Sequence, residues 1–203
     1  MNILFLGDSN SPLFSYLESI GENVVVTSEK INEDFLALCH PEFIISYGYR
    51  HIISEDILVR YPDNAINLHV SFLPWNRGAD PNFWSFVEDT PKGVTIHYLD
   101  KGIDTGDIIA QKIVEFSDSD TLHTSYLKLH HEIQMLFKEN WKIIRSKQCH
   151  QVKQPLLVPE SFHKSRDKEK LIFLLTRGWD TPITILKEYA AETQLSKQFW
   201  CNS

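Results

Sequence analysis

Apolar and polar positions alternate between two periods along the first half of the chain. Asn2 to Leu6 (NILFL) is a continuous apolar run closed by Gly7, which predicts a buried strand and a turn. Pro12 then precedes Leu13, Phe14, Leu17 and Ile20, the spacing of an amphipathic helix that ends at Gly21. Asn23–Thr27 is a second β-branched run, Glu33–Cys39 a short helix, and Glu42–Ser46 a third strand running toward Gly48. Ile57 and Leu58 lie in a helix stopped by Pro62, and Ala65–His69 is a fourth strand. Strands alternating with helices through short loops predict βαβ units and a doubly wound, mostly parallel α/β sheet. Ligands in such folds bind beyond the carboxyl ends of the strands. Those ends are Gly7–Asn10, Ser46–Gly48 and Asn67–His69.

Farther on, Phe83–Val87 reads as a helix. Gly93–Leu99 and Ile108–Phe116 read as two strands, a hairpin around the Gly102–Asp107 loop. A long helix runs from Thr121 to about Arg145, with Leu122, Leu129, Ile133, Leu136, Phe137, Trp141 and Ile144 on its core-facing stripe. After Cys149 the texture changes. Gln148–Pro159 is extended, Ser161–Lys170 polar, Leu171–Leu175 apolar, and Thr181-Pro182 opens a last helix through Gln198. The expected organisation is one main domain over 1–148 with a short C-terminal extension, 149–203, packed on it.

Composition narrows the class. Hydrophobic residues at 42% and charged residues at 23% are ordinary for a folded domain and exclude wholesale disorder. A formal charge of −7 argues against nucleic acid as the main partner. The apolar runs fall short of the about 20 residues needed to insert into a membrane. MNILFLGDSN lacks a basic segment and meets Asp8 early, so it reads as a strand rather than a secretion signal. Cys39, Cys149 and Cys201 show no paired spacing, which points to a reducing cytoplasm, with Cys39 as a small core residue. No metal site is expected, because His130-His131-Glu132 lacks ligand spacing.

Candidate chemistry concentrates between residues 65 and 111. Asn67 and His69 stand two apart at a strand end and so share a face. Asp104 and Asp107 lie in a Gly-bounded loop that can bring a carboxylate to the same place. An amide can donate to an oxyanion, an imidazole can move protons, and a carboxylate can tune it. No serine or cysteine nucleophile stands out, so direct acyl transfer to an amine fits better than a covalent enzyme intermediate. Taken alone, a core Asn and a satisfied His explain these residues as well. The Gly7–Ser11 turn likewise has two readings, an anion site or a plain helix cap.

The order N-x-H-x-S-x-L-P, then R-G-x-x-P, then G-x-D-T-G-D, resembles the folate-dependent formyltransferase family. The resemblance extends over about residues 1–145. It implies a Rossmann-like catalytic domain and catalytic roles for Asn67, His69 and Asp104. It also implies 10-formyltetrahydrofolate as co-substrate, held near Tyr47, Tyr49, His51, Ile53, Leu99 and Asp100. Within the family, the Phe72–Gly78 and Pro81–Trp84 stretches are most similar to enzymes that formylate nucleotide-linked amino sugars. A dTDP-linked 4-amino-4,6-dideoxyhexose, on a route to surface polysaccharide such as lipopolysaccharide O-antigen, is the expected acceptor. Ser9, Asn10, Trp75, Arg77 and Asn82 would then line its pocket. Trp75 and Trp84 can serve equally as core, and Arg77 can pair with Asp80 or Glu88 instead of a diphosphate. Lys164–Lys170 reads as a solvated helix. The alternatives are glycinamide ribonucleotide formylation and, ranked below it, a folate-binding module without catalysis. The C-terminal apolar run suits a homodimer interface or a core cover.

Overall fold

The computed structural model describes residues 1–156 and 161–201, the last eight by backbone only. The part of the expected extended stretch that falls on 157–159, and the side chain of Cys201, lie outside the described residues. Two compact units emerge. The first comprises residues 1–69, 95–111 and 133–154; the second comprises 70–94, 112–132 and the chain from Pro155 onward.

A six-stranded sheet organises the first unit, in the order β2-β1-β3-β4-β6-β7. Its strands are β1 (Asn2–Gly7), β2 (Asn23–Thr27), β3 (Phe43–Tyr47), β4 (Ala65–His69), β6 (Gly93–Tyr98) and β7 (Ile108–Ile113). β1 runs parallel to β2 and β3, and β3 parallel to β4, so the predicted βαβ half is present. β6 enters antiparallel beside β4. Ile3, Leu4, Phe5 and Leu6 are at most 1% exposed, which explains their unbroken apolar run, each contributing roughly 1.5–3 kcal/mol by burial. Gly7 is required because a Cβ there would stand 2.4 Å from the Tyr47 carbonyl oxygen. The expected strand through Phe116 stops at Ile113. Beyond it the Ser117 N–H turns back onto Asp120 Oδ2 at 2.8 Å, and Phe116 packs edge-on against Phe86 instead.

Helices α1 (Pro12–Ser19) and α2 (Glu33–Cys39) begin with side-chain caps, Ser11 on Leu13 N–H and Asn32 on Phe35 N–H. Cys39 is only half-buried, at the last turn of α2, because Leu36 holds the inward position. A short helix, α3, covers Glu55–Leu58. The long helix α5 (Leu122–Arg145) ends beside Glu22, whose side chain is 1% exposed. That carboxylate accepts from Trp141 Nε1 at 3.1 Å and pairs with Arg145 at 2.7 Å. A buried charge of this kind persists only with such partners.

In the second unit, α4 (Pro81–Val87) and α6 (Ile183–Cys201) share a core made of Phe83, Trp84, Phe86, Leu174, Ile183 and Leu186, among others. Two short strands, β5 (Arg77–Gly78) and β8 (Phe162–His163), pair in parallel. The segment expected to be a solvated helix is a 3₁₀ stretch over Ser165–Leu174, opened by Lys164 N–H on Asp167 Oδ2 at 2.7 Å. Residues 149–154 belong to the first unit and those from Pro155 to the second. No helix among the described residues is long and apolar enough to cross a membrane.

Candidate active site

The end of β4 presents Asn67 and His69 on one face, and the β6–β7 loop carries Asp104 to them. Asn67 Nδ2 donates to Asp104 Oδ1 at 3.1 Å, and His69 Nδ1 stands 3.7 Å from Asp104 Oδ2. The His69 and Asp104 side chains are 8% and 11% exposed, so the carboxylate acts on its neighbours with little solvent screening. The structure therefore brings together the three residues that the sequence singled out. Asp107 instead gives its backbone carbonyl to Tyr98 N–H, closing the hairpin at 2.9 Å.

A fourth residue joins them. His97 faces Asn67 across the β4–β6 register and has a side-chain exposure of 1%. Its Nδ1 lies 2.8 Å from the Tyr98 carbonyl oxygen, an acceptor only, so Nδ1 carries the proton and donates. In the neutral ring Nε2 is then a lone pair, 3.3 Å from Asn67 Nδ2 and able to take its second N–H. The two acceptors, His97 Nε2 and Asp104 Oδ1, thus fix which way the Asn67 amide faces. The sequence hint was a histidine within the mostly apolar β6.

Asp104 adopts φ 54°, a left-handed conformation that aspartate tolerates better than most residues. The loop around it is braced. Asp100 Oδ1 accepts from Gly102 N–H at 3.0 Å and Thr105 Oγ1 at 2.6 Å. Gly106 is obligatory, since a Cβ would lie 1.9 Å from the Tyr98 carbonyl oxygen.

Of the residues expected to hold folate, Tyr49, Ile53 and Leu99 pack on one apolar cluster with Leu4, Ile44 and Ala65. The Tyr49 hydroxyl donates to Glu29 O at 2.8 Å and accepts from Ile31 N–H at 3.1 Å, and burial pushes its pKa up. Tyr47 is buried with its hydroxyl against Gln134 Nε2 at 3.2 Å, while His51 is exposed, edge-on to Tyr49 at 5.3 Å.

The residues expected for the acceptor fall in both units. Ser9 and Asn10 sit in the β1–α1 turn of the first, where the Asn10 main chain and amide both bond Asp8 Oδ1, at 2.8 and 3.1 Å. Trp75, Arg77 and Asn82 belong to the second. Trp75 is half-buried, and Arg77 lies on β5 with its N–H on Ser161 O at 2.9 Å. Asn82 is 5% exposed, and its Nδ2 donates to Leu122 O at 3.1 Å and Ser125 Oγ at 3.0 Å. The carboxylates expected to pair with Arg77 have other partners here. Asp80 bonds Lys168, and Glu88 accepts from Asn76 Nδ2 at 3.0 Å, with His163 Nε2 standing 3.0 Å from its other oxygen. Trp84 is core, stacked on the His163 ring at 3.8 Å. Within this unit a cavity of about 150 Å³ is lined by Phe83, Leu122, Tyr126, Trp179, Asp80 and Lys168, among others. No group of three His, Cys, Asp or Glu among the described residues is placed to hold a metal ion.

A sequence profile described as formyl transferase matches residues 11–140. The chain belongs to the formyl transferase family. Family members of known structure include the formyltransferase PseJ from Anoxybacillus kamchatkensis, solved with UDP-4,6-dideoxy-4-formamido-L-AltNAc and tetrahydrofolate. It is 49% identical, with a TM-score of 0.88 over 93% of this chain and 98% of that one. The phosphoribosylglycinamide formyltransferase of Bacillus subtilis is 37% identical over 59% of this chain and 61% of its own length. The bifunctional polymyxin resistance protein ArnA of Wigglesworthia glossinidia brevipalpis is 32% identical over 68% of this chain and 21% of its own. The chain therefore spans less than two thirds of these two curated relatives.

Proposed function

We propose that this protein moves the formyl group of 10-formyltetrahydrofolate onto the amine of a nucleotide-linked amino-dideoxy sugar. The observation that carries the reading is the near full-length likeness to PseJ at 49% identity, in a chain that brings Asn67, His69 and Asp104 together. Because PseJ was solved with a UDP-linked 4-formamido sugar, the acceptor proposed is a UDP-linked 4-amino-4,6-dideoxy sugar rather than the dTDP sugar expected first. The rest of the reading is finer and also a proposal: a cytoplasmic enzyme of surface-polysaccharide synthesis, acting as a homodimer.

The folate supplies an electrophilic formyl carbon, and the residues of this chain do the rest. Asn67 turns one N–H from its resting acceptors toward the oxygen that becomes negative as the amine attacks. His69 helps hold that oxygen. Asp104 favours the protonated form of His69 and takes the proton that the amine must lose. That proton passes to the folate nitrogen as the bond from nitrogen to the formyl carbon breaks, giving the formamido sugar and tetrahydrofolate. Tyr49, Ile53 and Leu99 form the proposed folate wall, with Tyr47, His51 and Asp100 beside it. In the second unit, Tyr126 and Trp179, 37% and 57% exposed, offer ring faces to the nucleobase, and Lys168 offers charge to the diphosphate. Ser9, Asn10, Trp75, Arg77 and Asn82 are retained as acceptor-binding residues within this proposal.

The deciding experiment measures tetrahydrofolate release with a panel of UDP- and dTDP-linked 3-amino and 4-amino sugars beside glycinamide ribonucleotide. The UDP-linked 4-amino sugar should give the highest kcat/KM. Efficient turnover of glycinamide ribonucleotide with every amino sugar inert would move the protein to the purine branch. No turnover with any amine, but retained folate binding, would leave a binding module.

A further inference from the structure

The loop that presents Asp104 is held from outside by one side chain. Gln154 Nε2 donates to the backbone carbonyl of Asp104 at 2.9 Å and to that of Gly106 at 2.7 Å. Both hydrogens of one amide are thus spent on the residue carrying the carboxylate and on the glycine two positions later. Gln154 is delivered there by a backbone bridge, in which Ile108 N–H donates to Val152 O at 2.8 Å and Val152 N–H returns to Ile108 O at 2.9 Å. The Tyr98 N–H bond to Asp107 O closes the β6–β7 hairpin behind the loop at 2.9 Å, and the left-handed φ of Asp104 is not one the chain favours unaided. Asp100 braces the near side of the loop through Gly102 and Thr105, and Gln154 braces the far side.

We propose that Gln154 is a positioning residue that clamps the 100–107 loop and so keeps the Asp104 carboxylate between Asn67, His69 and His97. The assignment rests on the reading of Asp104 as the proton acceptor in formyl transfer. It gives the segment after α5 a part in catalysis without contact to either substrate. Displacing a catalytic group by about 1 Å costs about 100-fold in rate. The clamp should therefore act on kcat and leave acceptor binding alone.

Gln154→Ala should lower kcat by about 10–100-fold, with the KM for the amino sugar within about threefold and the melting temperature within a few degrees. Gln154→Glu provides a test that a purely structural role would not pass. An ionised Glu has no hydrogen to give either carbonyl, whereas the protonated acid regains one. Its deficit relative to wild type should shrink as pH falls from 8 toward 5, while the Gln154→Ala deficit stays constant. A folded Gln154→Ala protein with kcat within twofold of wild type would overturn the proposal, as would parallel pH profiles for the two variants. Amide hydrogen exchange across residues 102–106 needs no turnover and should quicken in Gln154→Ala while β1 and β3 stay protected. Unchanged exchange would refute the clamp. Faster exchange in a protein whose wild type formylates no amine would support the clamp and refute the functional reading instead.

Discussion

Replacing Asp104 by Asn removes a charge and almost nothing else. The amide oxygen can still accept from Asn67, the volume is conserved, and the Gln154 bonds fall on the main chain and are untouched. What disappears is a negative charge 3.7 Å from His69 Nδ1, in a place where both side chains are nearly excluded from water. With an effective dielectric of about 20, two unit charges at that separation attract by about 4 kcal/mol. If His69 is positive, or the amine proton is departing, in the transition state, Asp104→Asn should lower kcat about 1,000-fold. Folate affinity should change by no more than a few-fold, and the melting temperature should hold. Initial rates of tetrahydrofolate release from pH 6 to 9, beside a thermal melt, test both halves. A variant that melts like wild type and keeps kcat within tenfold at every pH would refute the assigned role and turn attention to Asp107.

Other perturbations give distinct outcomes. Burial lowers the pKa of His130 from 6.5 to about 4, so between those values the unfolded chain binds a proton that the folded chain does not. That contribution is complete above pH 6.5 and is lost as pH falls toward 4, by up to about 3 kcal/mol; urea titrations of wild type and His130→Phe across this window should diverge only at the acid end. Glu22→Ala leaves Trp141 Nε1 without its acceptor and should cost about 1–3 kcal/mol, read as a fall in melting temperature of about 2–4 °C per kcal/mol. Gly106→Ala must displace the Tyr98 carbonyl or the loop, so kcat should fall at least tenfold with the sheet intact by circular dichroism. Trp179→Ala should raise the KM for the nucleotide sugar by about 5–150-fold, the range for losing one base-stacking partner, and leave the folate KM unchanged.

The strands were legible where one residue type settles the issue locally. The apolar run at Asn2–Leu6 with Gly7 behind it needs no partner to be recognised, whereas the N-x-H pair at the end of Ala65–His69 took its meaning from the longer motif around it. From spacing alone Asp104 was one of two carboxylates in its loop, beside Asp107, and the motif's resemblance to formyltransferases is what singled it out. His97 was not legible, since its role depends on the antiparallel register that sets it opposite Asn67, thirty residues earlier. Gln154 and the Glu22–Trp141–Arg145 web were hidden for the same reason, as polar residues far apart in sequence whose meaning lies in who meets them. The substrate side was the least legible. Whether an aromatic such as Trp84 is core or platform is decided by what covers it, and here His163 covers it. The 3₁₀ stretch at Ser165–Leu174 escaped because a mixed-charge segment has a helical look at any hydrogen-bond step.

The make-up of the second unit has a consequence for how the protein comes into being. Phe83, Trp84 and Phe86 find their packing partners in Leu174, Ile183 and Leu186, about one hundred residues downstream. At roughly 5–20 residues per second, a ribosome needs on the order of 5–20 s to supply them after α4 has emerged. The parallel strands β1 to β4, by contrast, are all available before residue 70. Throughout that delay only Phe116 and Leu122 are at hand to cover the aromatic face of α4, which makes that helix a candidate client for a holdase and the first place to look when overproduction outruns folding.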